Sequence, residues 1–88
     1  MSAEQIQYNQ SLLASVSSQN PALNEIAAQA NQYTEMCKAG QITPAELTEA
    51  LRDLQGQLQI QSNMAELDSM ETLNTAINGL ITVASLFG

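Results

Sequence analysis

Apolar residues recur along much of this chain at steps of three and four, the spacing of one face of an α-helix. Leu47, Leu51, Leu54 and Leu58 step by four, three and four. Leu23, Ile26, Ala30, Tyr33 and Cys37 step by three, four, three and four. Small residues sit in the middle of that second stripe, where a neighbouring backbone can come close. Nearer the start, Ile6, Leu13 and Val16 fall on one side of a helix, with Tyr8 and Leu12 beside them. Beyond Leu58 the stripe slips, because Ile60, Met64, Leu67 and Met70 leave the earlier register. The last stretch, residues 72–88, carries no charged side chain and sets Ile77, Leu80, Ile81, Ala84, Leu86 and Phe87 among Asn, Thr and Ser. A free tail is normally polar, so this segment is expected to be buried, within the chain or in an interface.

These stripes and their boundaries predict a single all-α domain over residues 1–88, with helices at about 3–18, 21–39, 44–62 and 64–86. Ser2 with Gln5 forms a candidate capping box for the first helix. Asn20 is a candidate N-cap for the second, and Pro21 follows it at a position where a missing N–H costs nothing. Gly40 suits the left-handed turn that closes a helix. Thr43, Pro44 and Glu46 then read as N-cap, first residue and capping-box partner of the third helix. Gly56 weakens that helix by about 1 kcal/mol without having to end it. Two outcomes follow for the second half. One continuous helix from Pro44 to Asn78 would span roughly 52 Å and imply an extended, oligomeric object. A break near Asn63, re-capped with Glu66, would permit a four-helix globule.

Composition narrows the function classes. At 88 residues, such a domain buries only about 60–65% of its unfolded surface. Its aromatic residues are Tyr8, Tyr33 and Phe87 alone, so Leu, Ile, Met and Ala must fill a thin core. Nine acidic residues against Lys38 and Arg52 give a net charge of −7. Direct binding to nucleic acid needs clustered cations, and two isolated ones do not supply it. The lone Cys37 permits no intrachain disulfide, which fits the cytoplasm or a virion assembled there. The N-terminus has neither the basic region nor the apolar run of a secretory signal. No apolar run approaches the roughly 18–20 residues that cross a bilayer. The C-terminal segment also lacks the cations of a membrane-surface helix.

Candidate chemistry is sparse. The sequence has no histidine, no Cys–His or Ser–His pairing and no glycine-rich phosphate loop, so no enzyme, cofactor or catalytic residue is expected. Glu46, Glu49 and Asp53 share one helical face and read as a solvated row in which Glu49 pairs with Arg52. Glu66, Asp68 and Glu71 read the same way. Gly40, Ile42 and Glu46 match the second half of a calcium-binding EF-hand loop. The earlier ligand positions fall on Glu35, Cys37 and Ala39, however, which offer one carboxylate between them. The match is therefore read as a shared way to end one helix and start another, and no metal is expected. Cys37 reads as a small buried hydrophobe, and Met64 and Met70 as filler of a core or interface.

Across the same joint, Tyr33, Met36, Gly40, Ile42, Thr43, Glu46, Leu47 and Leu51 fall where the SHOCT family places its helix–turn–helix pattern. Residues 33–54 therefore resemble a SHOCT unit, which implies a role in oligomerisation. The chain departs from that family in having Thr48, Glu49 and Asp53 where basic residues usually follow. In its sparing use of charge (12% of residues) and abundance of Gln, Asn, Ser and Ala, the whole chain is similar to small bacteriophage virion and assembly proteins. Chains permanently buried in a particle need few surface charges for solubility. The reading that follows is a non-enzymatic structural or assembly protein, packing into a homo-oligomer or a larger complex such as a phage particle. Its expected interaction residues are Leu47, Leu51, Leu54, Leu58, Ile77, Leu80, Ile81, Leu86 and Phe87. The alternative is a soluble acidic adaptor or inhibitor that docks a helical face onto a basic protein.

Overall fold

The computed structural model describes residues 3–60 and 67–86. Four helices account for most of them: α1 (Ala3–Gln19), α2 (Pro21–Lys38), α3 (Pro44–Ile60) and α4 (Leu67–Ser85). No strand occurs among the described residues. Each helix packs against the next, and α4 returns to lie along α1, which closes a four-helix bundle. The radius of gyration is 12.0 Å, against about 12 Å for a compact domain of this length. The two outcomes left open by the second half are decided by the packing of α3 against α4. Gln55 Nε2 donates to Asn74 Oδ1 at 3.2 Å and to Asn78 Oδ1 at 2.6 Å. In one continuous helix, residues 55 and 78 would stand about 34 Å apart, so the single long helix is excluded. The break and cap at Asn63 and Glu66 lie outside the described residues, as does the capping box of Ser2 with Gln5.

Local chemistry sets the helix ends. A single residue, Asn20, joins α1 to α2. Its backbone is extended (φ −137°, ψ 100°), and its side chain accepts from the Ala22 N–H at 3.1 Å. Pro21 then opens α2 at a position that needs no donor. At the far end of α2, Gly40 takes a φ of +80°. The Gly40 N–H bonds to Cys37 O at 3.1 Å and the Gln41 N–H to Met36 O at 2.9 Å. That crossed pair is the Schellman closure, which satisfies carbonyls the helix leaves open. Thr43 and Glu46 form the expected reciprocal box: the Glu46 N–H donates to Thr43 Oγ1 at 3.1 Å, and the Thr43 N–H donates to Glu46 Oε1 at 3.0 Å.

The core is built almost entirely from aliphatic stripes. Leu13, Leu23, Leu47, Leu51, Leu54, Leu73, Ile77 and Leu80 are its largest fully buried side chains. Four polar residues among those described are buried with them: Asn9, Asn20, Thr34 and Ser69. Thr34 is buried, with its hydroxyl donating to the Ala30 carbonyl at 2.8 Å, so its own helix satisfies it. Asn9 occupies the step of the α1 stripe between Ile6 and Leu13 and is buried, with Nδ2 donating to Gln5 O at 2.9 Å. The polar seams between helices use amides more than charges. Gln10 on α1 donates to Asn31 Oδ1 and to Glu35 Oε1 on α2, each at 2.9 Å, and Ser17 bonds Asn24 across the same seam. The ion pair found among the described residues is Lys38 with Glu35, at 3.3 Å. The expected Glu49–Arg52 pair does not form, and both side chains point into solvent.

Candidate functional site

Six of the nine residues expected to contact a partner lie inside the chain's own bundle. Leu47, Leu51, Leu54, Leu58, Ile77 and Leu80 are all buried against helices of the same chain. Ile81 is half-buried and packs on the edge of that core. Leu86 follows α4 and is 74% exposed, while Phe87 lies outside the described residues. The uncharged C-terminal segment is therefore core as far as Ala84. Leu73, Ala76 and Val83, which the apolar pattern alone did not single out, are buried with it.

Among the described residues, an exposed aromatic side chain lies on α1. Tyr8 on α1 is 65% exposed, whereas the sequence placed it beside the buried side of its helix. The reason is the register of α1. The buried positions are Ile6, Asn9, Leu13, Val16 and Asn20, a run of threes and fours that includes two asparagines. At about 100° per residue, Tyr8 sits about 120° around the helix from the centre of that stripe. The signal was present in the spacing, but it becomes visible only once Asn9 is accepted as a core residue.

Tyr8 stands between two open grooves along the seam of α1 and α4. One, of about 420 Å³, is lined by Glu4, Gln5, Tyr8, Asn9, Gly79 and Thr82, with Val83 at its floor. The other, of about 380 Å³, is lined by Tyr8, Leu12, Asp68, Glu71, Thr72 and Thr75. Gly79 lines the first groove where α4 approaches α1. A Cβ there would come within 2.7 Å of Asn9 Cγ and Nδ2, so only glycine lets the Asn9 amide lie against α4. On α1, Glu4, Tyr8 and Leu12 share one face at successive fours. The charged residues of α1 and α4 are Glu4, Asp68 and Glu71, all acidic, while Lys38 belongs to α2 and Arg52 to α3. A third groove, of about 440 Å³, lies between α3 and α4. There the Gln55 amide already donates to Asn74 and Asn78.

Two titratable side chains on α2, Glu35 and Cys37, are shifted from their ordinary values. Burial pushes the Cys37 thiol above its ordinary pKa, which disfavours the reactive thiolate. The Glu35 carboxyl is held below the usual carboxylate value by the bond from Gln10 and then by Lys38, as a surface bridge between helices. Among the described residues, no three Cys, Asp or Glu side chains gather as metal ligands. None of the described helices is long and apolar enough to cross a membrane. The chain matches no protein-family model, no curated protein and no solved structure.

Proposed function

We propose that this chain is a non-enzymatic helical module that works by docking onto another protein, in the manner of an adaptor or inhibitor. The observation that carries this reading is the α1/α4 seam, where an exposed tyrosine stands between two grooves. Tyrosine is enriched at protein interfaces because it offers a large apolar ring with a polar tip. The apolar stripes expected to serve assembly are occupied in holding the bundle together. A sequence without histidine, and a cysteine held as a buried thiol, agree with a binding role.

A second reading keeps the chain as a structural component of a larger particle, such as a phage virion. What favours it is the low charge content, 12% of residues, and the SHOCT-like joint at residues 33–54, both suited to permanent association. Light scattering at low and high salt separates the two. A docking module is a monomer of 9.4 kDa at both salt concentrations. A self-assembling structural component is a defined oligomer that survives high salt, since apolar contacts are not screened.

A further inference from the structure

We infer that the α1/α4 seam is a docking site for a cationic amphipathic helix of a different protein, with Tyr8 as its central anchor. This rests on the docking-module reading and names the chemistry of the partner. Glu4 lines the groove on one side of Tyr8, and Asp68 and Glu71 line the groove on the other. α1 and α4 contribute no Lys or Arg to oppose an incoming cation.

Charge also argues against a second copy as the occupant. A two-fold dimer presents the same patch to itself, which would bring Glu4, Asp68 and Glu71 against their own equivalents. A partner with Lys or Arg along one side turns that repulsion into attraction. Its cations can lie against the Tyr8 ring face as well as the carboxylates.

Geometry favours a helix. From Glu4 to Leu12 the face runs about 12 Å along α1. A helix laid in the seam between two others fills it with residues spaced by threes and fours, and cations about two turns apart would reach both acidic ends. Apolar residues between them would meet Tyr8, Leu12 and Val83.

The test is an NMR titration of the ¹⁵N-labelled full chain with a synthetic amphipathic helical peptide bearing Lys and Arg on one edge and Leu beside them. A peptide with Glu in place of the cations is the comparison. The cationic peptide is expected to shift amides along α1 and α4 and the acidic one to leave them unmoved. Tyr8→Ala, and separately Glu4→Gln with Asp68→Asn and Glu71→Gln, are each expected to weaken binding about tenfold or more.

Removing the same number of charges from α2 and α3, with Glu25→Gln, Glu49→Gln and Asp53→Asn, is expected to change binding less than about threefold. All these side chains are exposed, and circular dichroism verifies that each variant keeps its helices. The inference is overturned if the two charge triples weaken binding equally, if Tyr8→Ala binds like the parent, or if neither peptide binds. A monomer that ignores the cationic peptide ends this inference and leaves the docking reading standing. An oligomer that buries the α1/α4 seam ends the docking reading itself.

Discussion

Two glycines in helices behave oppositely because of what surrounds them. A Cβ on Gly56 would meet nothing within 4 Å. Gly56→Ala is therefore expected to stabilise the fold by about 1 kcal/mol through backbone entropy and helix propensity, measured as a rise in the urea midpoint with an unchanged slope. Gly79 faces Asn9, and there the same substitution drives a methyl into a buried amide. Displacing that amide puts the Asn9–Gln5 bond at risk, a loss of about 1–3 kcal/mol that outweighs the gain in propensity. Gly79→Ala is expected to destabilise in the natural background and to stabilise in an Asn9→Ala background. A double-mutant cycle that shows the two changes to be additive removes this account. Tyr8 belongs to the same scale: its exposure follows from sitting two residues after Ile6 in a helix whose next buried position is an asparagine.

At the scale of elements, α4 was the ambiguous one. The lack of charge beyond Glu71 suited both an interface and a core. The structure makes it the fourth wall of the bundle, with Leu73, Ala76, Ile77, Leu80, Val83 and Ala84 all buried. A chain ending at Glu71 loses every one of these and is expected to lose its cooperative thermal transition by circular dichroism. A truncated chain that stays folded would show that α4 is an appendage. The α1–α2 seam adds a pH-dependent piece. Glu35 has a lowered pKa in the fold, so its contribution is present above the unfolded value and fades as pH falls through the folded one. The stability of the natural chain relative to Glu35→Gln is therefore expected to increase with pH across the acid range, below about pH 5. A difference that is flat or runs the other way contradicts the Gln10–Glu35–Lys38 bridge.

Over the whole molecule, net charge dominates the electrostatics. The total is −7, and the ion pair between Lys38 and Glu35 offsets little of it. Like charges on so small a bundle repel one another, and salt screens that repulsion over about 10 Å at 0.1 M and less at higher concentration. Raising sodium chloride from about 0.05 M to about 0.5 M is expected to raise Tm, followed by calorimetry or circular dichroism. The same salt is expected to weaken docking of a cationic partner, so stability and binding move in opposite directions. A fall in Tm with salt would mean that attractive pairs outweigh the repulsion.

Much of the fold was legible in local chemistry. Asn20 with Pro21, Gly40, and Thr43 with Glu46 act through bonds to residues a few positions away, and so they fixed the starts of α2 and α3 and the close of α2 by sequence alone. The leucine stripe from Leu47 to Leu58 likewise established that one face of α3 is buried, because the spacing of a helix is intrinsic to the backbone. What covers that face is not a local property. The same leucines serve equally against a partner or against α4, and only the side-by-side packing seen at Gln55, Asn74 and Asn78 assigns them to the chain's own core. Tyr8, expected beside the buried stripe of α1, is exposed for a related reason. Hydrophobicity alone does not mark Asn9 as a buried position, whereas the close approach of α4 at Gly79 makes room for its amide and leaves the tyrosine on the outside of the seam.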